Sequence, residues 1–261
     1  MPLFARFRAV PDKDKASLIR KLVENGTPDF DYFYLIGLST LMATLGLLLD
    51  SSSIVIGSML IAPLMYPILG VALGLVMMGD NVSLLQRALF TLIKSLGIGL
   101  GLSVIAAFFF GDPDEMVKSA EVLARTLPSH LNFLVAIVAG AAVSYMLARP
   151  EWGDALPGVA IAVALVPPLA TIGVGIAAGS AMIIKGASMI LFLNLFGIIA
   201  ITVIVFLLMN LGEKKNIAES TVRREDEKLE IEKKIIAEVA EQITEFKKTK
   251  TTVIHEDITT K

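Results

Sequence analysis

Between Tyr32 and Met209 the chain runs through one apolar stretch after another, while its charged residues crowd into the segments before and after. A helix rises about 1.5 Å per residue, so about 20 apolar residues cross a hydrocarbon core of about 30 Å. The stretches at 32–49, 53–78, 88–110, 131–148, 155–178 and 187–209 approach or exceed that length. The chain is 55% hydrophobic and 18% charged, with a mean hydropathy of +0.73. Sorted in this way, it does not build a soluble domain. The predicted fold class is an all-α membrane protein with six transmembrane helices in residues 32–210. A cytoplasmic N-terminal segment, 1–31, precedes them and a cytoplasmic charged helical tail, 211–261, follows.

Lys and Arg beside the helix ends set orientation, because basic flanks stay cytoplasmic. Arg6, Arg8, Lys13, Lys15, Arg20 and Lys21 precede the first span, Arg87 and Arg149 fall in the second and fourth connections, and Lys214, Lys215, Arg223 and Arg224 follow the last. The opposite side carries Lys118, Arg125 and Lys185. An even number of crossings then places both termini in the cytoplasm. The polar connection from Gly111 to His130 is the best extracytoplasmic feature and has room for a short surface helix. No stretch of signal-peptide type precedes Tyr32, so no cleaved targeting segment is expected. Cysteine is absent, which excludes disulfides, thiolate catalysis and Cys-based metal sites. The net charge of −2 argues neither for nucleic acid binding nor for an acidic substrate.

An internal repeat is visible. At an offset of 105 the second and fifth spans pair Pro63-Leu64 with Pro168-Leu169, Gly70 with Gly175, Ala72 with Ala177 and Gly74 with Gly179. At an offset of 100 the third and sixth pair Lys94 with Asn194, Gly97 with Gly197 and Ile98 with Ile198. Units of three helices, 32–110 and 131–210, must enter the membrane from opposite faces, which predicts two inverted repeats.

The prolines inside the second and fifth spans are the sharpest chemical signal. Proline removes a donor and clashes with the carbonyl one turn back. In inverted-repeat transporters, paired broken helices at the midplane bind substrate or ion. Pro63, Pro67, Pro167 and Pro168 suit that position, and equally suit kinks that help helices pack. Ser58 and Thr171 flank the breaks, at sites a pathway would use or where a hydroxyl bonds its own backbone. Lys94 either reaches back to the cytoplasmic interface or offers a cation to an anionic solute. Asn194, in the run ILFLNLFGII, needs a partner from another helix or from a substrate. Ser39, Thr40 and Thr44 form a hydroxyl stripe on the first span. Asp50 and Ser51–Ser53 are helix caps or a cation-attracting mouth.

The pairs Gly70/Gly74, Gly97/Gly101 and Gly175/Gly179 allow close helix approach. His130 and His255 lie on opposite predicted sides, and no Walker, His-Glu-x-x-His or Gly-x-Ser-x-Gly pattern occurs. No enzymatic activity, metal or cofactor is therefore expected. After Met209, Leu229, Ile236, Val239, Ile243 and Phe246 form a short heptad stripe. It serves either self-association or packing against a membrane or loop.

The stretch from Ser39 to Asp80 resembles an uncharacterised hydrophobic-domain membrane protein family, domain of unknown function 389. That family's Ile-Gly-Ala-Met-Leu-Ile-Ala-Pro-Leu-Met stands here as Ile56 to Met65, with Ser58 in place of alanine. The resemblance, over roughly 30–210, implies a prokaryotic multi-pass cell-membrane protein and names neither site nor activity. On the residues themselves, the expected function is a transporter or channel for a small solute or ion. Its site would lie between the repeats, lined by Ser58, Pro63, Pro67, Pro167, Pro168, Thr171 and Asn194, with Lys94 as a possible anion partner. The expected partners are the bilayer, the solute and a second copy joined through membrane helices and the 229–246 stripe. The alternative is a membrane scaffold or sensor acting through its tail.

Overall fold

Asp29 opens the first long helix by accepting the Tyr32 N–H at 2.7 Å, an N-cap that satisfies one of the free donors of the first turn. In a computed structural model the described residues are 10–26, 29–77, 82–148, 155–214, 216–231, 234–237 and 239, without the side chains of 82 and 155–163. They are helical, with no strand among them. The helices are α1 (Asp12–Glu24), α2 (Phe30–Leu48), α3 (Ser52–Met59), α4 (Met65–Val76), α5 (Val82–Phe110), α6 (Pro113–Met116), α7 (Ala120–Ala124), α8 (His130–Leu147), α9 (Ala155–Ala177) and α10 (Ala181–Leu208). Four described helices are long and apolar enough to cross a membrane: α2, α5 from Ser83, α8 and α10.

The span expected at 53–78 is not one helix. It divides into α3, of 8 residues, and α4, of 12, with Leu60–Leu64 between them. Pro63 has no N–H for the carbonyl of Met59, and it disfavours helical geometry at Ala62. Pro67 repeats the loss one turn later. The Ser58 carbonyl instead accepts the Ile61 N–H at 3.2 Å and the Ser39 hydroxyl at 2.8 Å. By contrast, α9 runs unbroken through Pro167 and Pro168. Arg87, expected in a connection, lies inside α5.

Burial separates inner from outer helices. Residues 164–175 of α9 and 67–74 of α4 are buried on every face, the pattern of helices enclosed by others. α9 packs on α2, α3, α4, α5, α8 and α10. The outer helices turn large apolar side chains outward, among them Phe108, Phe109, Phe110, Leu134, Val138, Phe192 and Phe196. Contiguous apolar exposure of this extent suits lipid and not water.

The first unit, Met1–Glu219, has two distinct ends. At one end Asp50, at φ 49°, follows α2 and accepts from Ser119 Oγ (2.7 Å) and Glu121 N (2.8 Å). Ser52 bonds Glu121 as well, and Gly186 admits the Thr126 carbonyl so closely that a Cβ would overlap it. The expected surface helix of the 111–130 connection is thus present as α6 and α7, clamped to the bundle. At the other end Lys214 Nζ meets Asp12 Oδ2 at 3.0 Å. There α1 lies on α4, with Leu18, Ile19, Leu22 and Val23 buried.

The second unit is Ser220–Lys261. Its described part is helical, with ion pairs Arg223–Glu227 at 3.2 Å and Lys228–Glu225 at 2.6 Å. Of the heptad stripe, Leu229 is half-buried, Ile236 and Val239 are exposed, and Ile243 and Phe246 lie outside the described residues.

Candidate functional site

Two adjacent prolines in α9 remove two adjacent donors. In a regular helix the N–H groups of residues 167 and 168 would serve the carbonyls of Val163 and Ala164. The Ala164 carbonyl is instead taken by Asn194 of α10, whose Nδ2 donates to it at 2.8 Å. That contact dictates the orientation of the amide, because an oxygen turned to Ala164 would set acceptor against acceptor. Asn194 is 6% exposed, and its Oδ1 is left buried with no partner. One turn on, Thr171 Oγ1 donates to the Pro167 carbonyl at 2.9 Å. Pro167, Pro168, Thr171 and Asn194 therefore come together.

The other expected residues lie elsewhere. Ser58 is buried at the end of α3 and donates to Val55 O at 2.6 Å, beside the Pro63 break. Pro67 faces a small cleft where Leu22 and Val23 of α1 meet Gly70 of α4 and Arg87 of α5. α4 and α5 are antiparallel, with Gly74 against Leu85 and Gly70 against Ala88. The next turn of that register brings Thr91 to the level of Pro67, and Thr91 Oγ1 is also buried without a partner. Lys94 joins none of these groups. Its side chain is exposed on α5, with Nζ 4.4 Å from the centroid of the Phe33 ring.

Hydroxyls join the helices. Thr44 Oγ1 lies 2.8 Å from both Thr40 O and Ser103 Oγ, and Ser103 Oγ donates to Ala170 O at 2.9 Å. Nearer the other end, Tyr32 OH donates to Ser95 Oγ at 2.9 Å, since Ser95 spends its own proton on Thr91 O at 2.7 Å. Between α8 and α10, Ser144 Oγ donates to Gly140 O at 2.6 Å and lies 3.0 Å from Thr202 Oγ1. Sequence reasoning found Thr40 and Thr44 but missed Ser95, Ser103, Ser144 and Thr202. Their signal was present, since each is a hydroxyl inside an apolar run. It also missed the role of α1, whose aliphatics recur with helical spacing.

Of the glycine pairs, Gly70 and Gly74 admit α5 and Gly175 admits Ile183 of α10, whereas a Cβ at Gly97 or Gly101 would meet nothing within 4 Å. The described residues contain no cluster of three or more His, Asp or Glu side chains fit to hold a metal. Outside the spans, hydrogen bonds from the Glu121 amide and the Ser119 hydroxyl hold the Asp50 carboxyl below its ordinary value.

A family model described as "Domain of unknown function (DUF389)" matches residues 59–200. An uncharacterised protein of the archaeon Methanocaldococcus jannaschii is 30% identical over 169 residues, covering 65% of this chain and 51% of the relative. The chain thus spans about half the length of that curated relative. No solved structure matches it.

Proposed function

The chain belongs to the family described as domain of unknown function 389, and from that premise we propose that it is a multi-pass transporter or channel for a small solute or ion. The observation that carries this reading is the enclosed α9, with a polar amide from α10 meeting a carbonyl that Pro168 leaves without a donor. Polar groups at membrane depth mark pathways. Backbone released from helical bonding is tolerated there when it is buried in protein or lines a cavity.

Six crossings follow if α3 with α4 counts as one discontinuous span and the continuous α9 as a further span. Both termini then lie on the side of α1 and Lys214, the cytoplasmic side by its basic flanks. Two inverted three-helix units are supported by packing register. Gly70 meets Ala88 and Gly74 meets Leu85 in one hairpin; Ala164 meets Asn194 and Gly175 meets Ile183 in the other. A single offset of 100 brings these registers together to within one residue. It also superposes Thr44–Ser103 on Ser144–Thr202 to within one residue. That offset pairs Pro67 with Pro167, in place of the offset of 105 that pairs Pro63 with Pro168.

Flux recording on the purified chain in liposomes tests the reading, with small ions and solutes screened and an Asn194→Ala, Thr171→Ala double variant as control. A flux that the double variant lowers is expected. Silence across the screen from folded protein would overturn it.

A second reading, a scaffold or sensor, is favoured by the tail, where Ile231, Ile235, Ile236 and Val239 are exposed on a helix. Such a stripe suits a second copy or a partner helix. The open face at Gly97 and Gly101 of α5 would serve the same association within the membrane. In this reading, deleting the tail abolishes function and the Asn194 variant does not.

A further inference from the structure

The groups left over at the Pro167–Pro168 break are acceptors. Val163 and Ala164 each lose a helical donor to proline, and Asn194 restores one to Ala164. The Oδ1 of that same amide is buried and unpaired. The described side chains of this part of α9 and α10 supply no positive charge. Leu165, Val166, Leu169, Ile190 and Ile198 are apolar and buried, Thr171 has spent its proton on Pro167 O, and Lys94 lies on the outer surface against Phe33. An acceptor buried without a donor costs about 1–3 kcal/mol, so a partner that offers a proton or a positive charge to Oδ1 stabilises the site.

An anion fits poorly. It needs several N–H groups, and here two are abolished by proline and one of the two on Asn194 is directed to Ala164, which leaves a single amide hydrogen. A divalent cation fits poorly as well, because no described acidic cluster exists to neutralise it and the cost of burying an ion grows with the square of its charge. Neutral carbonyl and amide oxygens suit a monovalent alkali cation, the chemistry by which unwound backbone and filter carbonyls replace an ion's water. We infer that Asn194 Oδ1 and the backbone carbonyl of Val163 supply ligands to an alkali cation at the Pro167–Pro168 break. The inference rests on the transport reading in making that cation the transported or coupled species, though binding is measurable without flux.

The test is the thermal midpoint of the full chain in lipid nanodiscs, titrated with NaCl and KCl against choline chloride at equal ionic strength. Alongside the wild type run Asn194→Leu, which removes the amide oxygen, and Pro167→Ala, which returns an N–H to Val163. The second variant strengthens the helix, so it guards against a variant that fails only by misfolding. One alkali cation is expected to raise the wild-type midpoint saturably, with apparent affinity at least ten-fold weaker in both variants. Equal shifts in choline, or variants that respond like the wild type, would overturn the site and leave a trapped water as the partner of Oδ1. Cation binding without flux of any species keeps the site and removes the transport reading. Flux of another solute without cation binding does the reverse.

Discussion

Replacing Asn194 with leucine should cost the bundle more while Pro168 is present than after Pro168→Ala. The Nδ2 of Asn194 stands in for a main-chain donor that proline lacks, so Pro168→Ala supplies the N–H that makes it redundant. Hydrogen bonds between helices in membranes contribute about 0.6 kcal/mol on average and about 1.7 at most. A carbonyl left buried and unpaired costs about 1–3 kcal/mol. The coupling energy expected from the four-member cycle is therefore about 1 kcal/mol. At roughly 2–4 °C per kcal/mol for a chain of this size, the midpoint change on Asn194→Leu should be about 2–4 °C less favourable in the Pro168 background than in Pro168→Ala. The loss of Oδ1 is common to both backgrounds and cancels. The assay is thermal unfolding in detergent with choline as the only added cation. Equal losses in the two backgrounds would show that Asn194 does not repair the proline and would refute the reasoning.

Gly186→Ala should be among the most damaging single-methyl changes, costing about 1–3 kcal/mol by overpacking, because Cβ would overlap the Thr126 carbonyl. Gly97→Ala and Gly101→Ala should instead be neutral or stabilise by up to about 1 kcal/mol each, read as melting midpoints of the monomer. Asp50→Ala should loosen the segment around Ser119 and Glu121, so that trypsin cuts faster after Lys118 and Arg125. Since the folded carboxyl is held below its ordinary value of 3.8, this contribution is present above that pH and fades as pH falls below it; the midpoint difference between wild type and variant should shrink in that direction. Lys94→Leu should leave any flux unchanged and cost under about 1 kcal/mol, the worth of an exposed cation–π contact; a large loss of flux would place Lys94 in the pathway after all.

Length and hydropathy made most of the helices legible. The expected boundaries 32–49, 131–148 and 155–178 agree closely with α2, α8 and α9. The expected starts at 88 and 187 fall inside α5 and α10, which begin at Val82 and Ala181, because a helix does not stop where its apolar run does. The site was legible by residue type and not by position. Prolines, hydroxyls and one amide inside apolar runs announced a problem of unpaired groups, but not which group answers which.

What the sequence by itself determined is the set of apolar helices and the places where proline must withdraw a backbone donor, since both are local properties of the chain. Only the tertiary structure decided the consequences. At Pro63 the helix opens, with Ser39 from α2 taking the Ser58 carbonyl. At Pro167 and Pro168 the helix stays continuous, because it is enclosed on all sides and Asn194 reaches the Ala164 carbonyl from 30 residues away. Lys94 is exposed and Asn194 buried, although both sit in apolar runs, because the direction of a side chain is set by which face of its helix the neighbours cover.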